Sequence, residues 1–286
     1  SNADTGINLQ AGSTINADRT DAGNGAVGLY TNYGKINTNA SSTINVETGS
    51  NVVNDSGVGI YAVNGSEVNS AGTININGNK SIGILGAAYR EDVTSGAAIV
   101  NEFVNSYGVV APGQGTSRVV NTGTINLSGN NATGIYVKNN NSSAANTGTT
   151  ATNSGAGKIN LSGNNAIGIL GDKARIANDA TINLNGQEEF GMYANNGSII
   201  LNDTNGVINL ANSAAGKNPN IGIFTDDVNT SIENKGKIIG GENTYGIYSQ
   251  GAPITARSGS EIEIGDAGAG IYSTGSNINL DSGSKI

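Results

Sequence analysis

The feature that most constrains this chain is a box returning at a near-constant spacing: an apolar residue, a glycine, an apolar residue, then a large apolar or aromatic one. Its glycines are Gly28, Gly59, Gly83, Gly108, Gly134, Gly168, Gly191, Gly222, Gly246 and Gly270, separated by 31, 24, 25, 26, 34, 23, 31, 24 and 24 residues. A second box precedes most of them, as Thr43-Ile44-Asn45, Thr73-Ile74-Asn75, Thr124-Ile125-Asn126, Lys158-Ile159-Asn160, Thr181-Ile182-Asn183 and Val207-Ile208-Asn209. Asn75, Asn126, Asn160 and Asn183 each stand eight residues before a box glycine, which fixes the register. A third apolar segment closes each unit, around Val68, Val119, Ile176, Ile200, Ile232, Ile254 and Ile278.

Three short strands in about 24 residues, joined by Gly, Asn, Ser and Asp turns, form one triangular coil. Equivalent side chains return at the same phase, so each strand pairs with its counterpart one coil along. The expected fold is all-β: a right-handed parallel β-helix (β-solenoid) of about ten three-stranded coils of roughly 24 residues. The hand follows from the long, variable coil, because left-handed versions keep a strict hexapeptide period. Ten coils stacked at about 4.8 Å would make a rod roughly 50 Å long.

Alternation along a strand sends Ile125 and Leu127 to one face and Thr124 and Asn126 to the other. With the aliphatic pair inward, Asn45, Asn75, Asn126, Asn160, Asn183 and Asn209 stack as an amide ladder. In the glycine box the residues flanking the glycine, such as Val58 and Ile60 or Phe190 and Met192, are expected in the core. The glycine and the residue two after it then face outward. That second position holds Tyr30, Tyr61, Leu85, Val110, Tyr136, Leu170, Tyr193, Phe224, Tyr248 and Tyr272, and so collects six of the ten tyrosines.

Composition removes whole classes of function. Lys+Arg number 14 against Asp+Glu 22, a net charge of -8, so phosphates would go unneutralised and nucleic acid is not an expected partner. There is no His, Cys or Trp and a single methionine, Met192, which removes thiol, Ser-His and zinc chemistry. Gly (44) and Asn (45) serve turns and ladders. No cofactor or metal site is expected. The opening Ser1-Asn2-Ala3 matches the remnant of a cleaved expression tag, and residues 4–286 are expected to form a single β-helix segment of a larger protein.

The boxes running from Gly123 to Tyr136 and from Gly157 to Leu170, GTIN[LI]-x-G-N followed by A-x-G-I-Y or a close variant, resemble those of type V autotransporter passengers. These are Gram-negative surface proteins whose β-helical stalk is exported through a C-terminal outer-membrane barrel. The resemblance covers nearly the whole chain, and the absence of Cys and the acidic balance fit it. It implies display on the cell surface, anchored at the outer membrane by a barrel of the same polypeptide outside this segment. It also implies adhesion to a host-cell or bacterial surface protein or glycan. It carries over no functional residue.

The candidate binding stripe is therefore Tyr30, Tyr61, Tyr136, Tyr193, Phe224, Tyr248 and Tyr272, whose rings can stack on sugar faces or anchor a protein. The plainer reading is that each ring covers a neighbouring glycine and stacks on the next ring, stabilising the sheet. Insertions at 47–56, 139–157 and 212–220, with a weaker loop at 87–96, are further candidates for recognition. A spacer whose binding sites lie elsewhere remains the alternative. A polysaccharide lyase or hydrolase is a distant one, since Glu188-Glu189, Asp226-Asp227, Glu91-Asp92 and the Glu261, Glu263 pair place no carboxylates at one phase in successive coils. No catalytic residue is assigned. Calcium repeats are absent, and the Thr column is broken by Lys158, Val207 and Lys237, which argues against an ice-binding array.

Overall fold

A computed structural model describes residues 6–19, 26–48, 57–88, 117–139 and 148–286. The described residues form only β-strands and turns, and every strand pairing is parallel. Nine glycine-box strands stack as one sheet, from Val27–Asn32 to Ala269–Thr274. The Thr-Ile-Asn strands and the third strands make up the other two faces, and count as one 17-stranded sheet because Thr150–Leu161 and Arg175–Leu184 run around the corner between them. The chain is a parallel β-helix.

The stacking follows the boxes residue for residue. Ile74 pairs with Ile44 and Ile125, Ile159 with Ile125 and Ile182, and Ile208 with Ile182 and Ile238. These isoleucines are buried, as are Ile76, Leu127, Leu161 and Leu184 two residues on, and together with Ile60, Ile84, Ile135, Ile169 and Ile247 they form one apolar core along the rod. The third strands complete the triangle in the expected register, Val68, Val119, Ile176, Ile200, Ile232 and Ile254 being buried. Burying an aliphatic side chain of this size stabilises by about 1.5–3 kcal/mol, so the core is where the rod's cohesion lies.

Polar groups are handled by ladders. The Nδ2 of Asn45 donates to Asn16 Oδ1, and the relay continues through Asn75, Asn126, Asn160, Asn183 and Asn209 at 2.8–2.9 Å. All six expected members are present, with Asn16 as a seventh. A second relay, not anticipated, lies at the corner after the third strands: Asn121, Asn153, Asn178, Asn202 and Asn234, all fully buried and linked at 2.8–3.0 Å. Several of these amides also donate to turn carbonyls, Asn121 to Gly123 and Asn178 to Ala180. They thereby satisfy backbone groups that a tight, buried corner leaves open.

Two expectations need correction. The box glycines point inward: a Cβ on Gly83 would lie 2.5 Å from the Gly134 carbonyl oxygen and 3.2 Å from Ile125 Cγ2, and the same clash recurs at Gly28, Gly59, Gly168 and Gly191. The backbone is irregular there, the paired register skipping each glycine, so the residue before it turns outward and is not in the main core. Val27 and Val58 accordingly pack with Tyr30, Tyr61 and Leu85 on the outer side. The rings thus stack on one another without covering the glycines.

The second correction concerns Gly108. Strand Ile82–Ala87 pairs directly with Thr133–Lys138, and Glu67–Ser70 directly with Arg118–Asn121, so the box at Gly108 adds no strand between them. Gly108 and Val110 themselves lie outside the described residues, as do most of the insertion at 47–56, residues 89–96 of the loop at 87–96 with Glu91 and Asp92, and residues 140–147 of the 139–157 insertion.

Candidate functional site

The expected stripe is one column on the glycine face. Pairing runs Tyr30 to Tyr61, Tyr61 to Leu85, Leu85 to Tyr136, Tyr136 to Leu170, Leu170 to Tyr193, then Phe224, Tyr248 and Tyr272. Aliphatic side chains at Leu85 and Leu170 stand on either side of Tyr136 in the column, and the contacts among the remaining described rings fall into two groups. Tyr30 and Tyr61 form the first, with ring centroids 5.5 Å apart, and Tyr61 is 2% exposed.

The second group is larger and open. Tyr193, Phe224, Tyr248 and Tyr272 follow one another at 5.1, 5.3 and 5.0 Å, and Tyr193, Phe224 and Tyr248 are each half-buried. Two further rings join from the slot before the glycine. Phe190 lies 5.2 Å from Phe224 and 6.0 Å from Tyr193; Tyr245 stacks on Tyr272 at 5.7 Å and meets Tyr248 edge-on at 6.1 Å. Simple alternation places Phe190 in the core and does not single out Tyr245. The signal available in the sequence is size: among the described strands this slot elsewhere holds Val, Ile, Thr or Ala, and a coil interior filled by isoleucines has no room for a ring.

A groove of about 250 Å³ opens between these rings and the 212–220 insertion. It is lined by Phe190, Ile221, Phe224, Tyr245 and Tyr248 on the sheet, with Asn165, Glu188, Asn218 and Pro219 along its rim. The corner residues Asn165, Glu188 and Asn243 share a left-handed backbone, with φ of 56°, 60° and 53°. The insertion is tied down at several points. Asn218 donates both its backbone N–H and its Nδ2 to Glu188 Oε1 (3.3 and 3.1 Å), the Ala214 N–H donates to Gln187 Oε1 (2.7 Å), and Asn220 Nδ2 donates to the Gly186 carbonyl (3.1 Å).

Acidic groups surround this half of the face. The Tyr193 hydroxyl donates to Asp226 Oδ1 at 3.1 Å, and burial, with the Asp226 charge beside it, raises the phenol above its ordinary value. Asp227, by contrast, pins a corner, accepting from the Gly197 N–H (2.6 Å) and the Thr230 hydroxyl (2.8 Å). Glu188 and Glu189 point apart. Glu189 is fully buried at the inner corner, where Oε2 accepts from the Gly186 N–H at 2.8 Å and Oε1 finds no partner, and burial pushes its carboxyl up to about 8. Glu261 pairs with Lys237 at 2.7 Å and shares the outward face of its strand with Glu263.

Comparison with models of known protein families, with curated proteins and with solved structures returns no match. The fold and the described site define a parallel β-helix with an aromatic groove on one face.

Proposed function

We propose that this chain is a surface-displayed adhesive segment of an autotransporter-type protein: a stiff β-helical rod that presents one face for attachment to host or bacterial cells. The observation that carries this reading is the aromatic group from Phe190 to Tyr272 with the groove beside it, held in register on the glycine-box sheet. Clustered, accessible rings are what binding surfaces use, because each buries a large area at little conformational cost. The resemblance of the Gly123–Tyr136 and Gly157–Leu170 boxes to autotransporter passengers supports display at the outer membrane. Many copies on one cell convert weak single contacts into strong attachment.

The spacer reading draws support from the other aromatic group, since the buried Tyr61 offers nothing to a partner. Labelled soluble protein applied to host and bacterial cells separates the two. Saturable binding, displaced by unlabelled protein, is the expected result; folded protein that fails to bind at high concentration would make the segment a spacer.

A further inference from the structure

We infer that the groove between Phe190, Phe224, Tyr245 and Tyr248 and the 212–220 insertion is a binding site for a neutral pyranose unit of a glycan. The inference rests on the adhesive reading and names what that surface recognises.

Three observations point to a sugar. The first is shape: about 250 Å³ is small even for a ligand site, which starts near 300 Å³, and suits one sugar ring more than a protein side. The second is the mixture of groups. A pyranose has a face of C–H bonds and an equator of hydroxyls. The groove offers rings at several tilts, Phe190 with Phe224 at 36° and Tyr245 with Tyr248 at 81°, beneath a rim of amides and a carboxylate from Asn165, Asn218 and Glu188. Glu188 accepts from Asn218 through one oxygen only, and a carboxylate has about four acceptor positions, so capacity remains for neighbouring hydroxyls.

The third is charge, which selects among sugars. None of the lining residues is Lys or Arg, Glu188 stands on the rim, and Asp226 lies beside the adjoining Tyr193. A sialic acid, uronate or sulfated sugar would meet the Glu188 carboxylate with no cation among the lining residues to offset it. The seat is also pre-formed, because the insertion is tethered to Gly186, Gln187 and Glu188, so little ordering is required when a sugar enters.

The test uses the whole chain with methyl glycosides of neutral hexoses and N-acetylhexosamines, their short oligomers, and sialyllactose and methyl glucuronide, read by saturation-transfer NMR and titration. The expected result is saturable millimolar binding of a neutral sugar, with transfer to aromatic protons, reduced roughly tenfold or more in Tyr248→Ala. Glu188→Lys provides a second variant. Its corner tolerates lysine, since Lys80 adopts the same left-handed backbone three residues before Gly83. It should lose neutral sugar and gain anionic sugar, with a small drop in melting temperature because the two Asn218 contacts to the carboxylate go with it, the insertion staying held through Gln187 and Gly186. Lys35→Ala, on another face, should bind as the parent does.

Neutral-sugar binding unchanged by both groove variants would overturn the site, and anionic sugars bound as well as neutral ones by the parent would overturn the charge argument. Saturable attachment to cells without any sugar binding would sink the sugar inference and leave the adhesive reading standing; absence of both would end both.

Discussion

Two stretches of one face make opposite use of the same column. At the Tyr30–Tyr61 end, Tyr61 and Val63 are buried with Ala87 in a small outer cluster, flanked by Val27, Val58 and Leu85. At the Phe190–Tyr272 end the flanking slot carries Phe190 and Tyr245, the 212–220 insertion stands alongside, and a groove results. Backbone and register are alike in both. Whether a ring is buried in an outer cluster or lines a groove is therefore decided by its neighbours, in the slot before the glycine and in the insertion beside it.

Stability measurements offer the sharpest way to break this contrast. Tyr61→Ala should cost about 3–5 kcal/mol, as truncating a buried aromatic does, whereas Tyr248→Ala, on the partly exposed groove, should cost about 1 kcal/mol or less. Urea melts of the two variants would show it, and equal losses would erase the distinction.

Glu189 sharpens the comparison next, since its corner position is filled by Ala132 and Ala166 in the preceding coils. Its carboxyl is raised from the ordinary 4.5 to about 8. The native state thus holds a proton that the unfolded chain releases above pH 4.5. Stability is complete below that value and declines as pH rises towards 8, by a few kcal/mol in all. In Glu189→Gln the melting temperature should be nearly flat from pH 5 to 8, and a slope equal to the parent's would show that another group carries it.

Smaller effects are expected from the ladders. Asn178→Ala strands the Oδ1 of Asn202 in a buried corner and leaves the Nδ2 of Asn153 with the Thr181 carbonyl alone, for about 1–3 kcal/mol, while Asn183→Ala interrupts the partly solvated ladder for about 0.5–1.5 kcal/mol. Reversal of that order in thermal melts would mean that burial does not set the worth of these amides.

Much of this was legible in the sequence because a solenoid repeats side chains at one phase. Thr-Ile-Asn announced both its inward isoleucine and its outward amide. The buried relay was equally available, each asparagine standing two residues after the third strand's apolar residue, as Val119 and Asn121 or Ile176 and Asn178 do, but the third box varies too much around it to draw notice. Phe190 is misplaced by alternation for a physical reason: a strict period of two has no means of registering a local irregularity, and the close approach of glycine to glycine shifts the strand by one face. Gly108 misleads because spacing reports similarity, whereas only hydrogen-bonded pairing reports adjacency. The groove depends on an insertion folding back on Glu188, a tertiary contact with no periodic signature.

The direction of the amide relays has an electrical consequence. In the outer ladder every amide donates toward the N-terminus, from Asn209 down to Asn16, and so do Asn69 and Asn37 on the neighbouring face. In the buried relay each donates the other way, from Asn121 to Asn234. Coils that contribute one amide to each, such as Asn178 with Asn183, have side-chain dipoles that oppose, whereas in the first three coils the two exposed relays add. Sheets contribute little net dipole of their own. Among the described coils the side-chain polarity is therefore gathered in the first three, positive toward Asn8 and Asn16, and does not grow through the later ones.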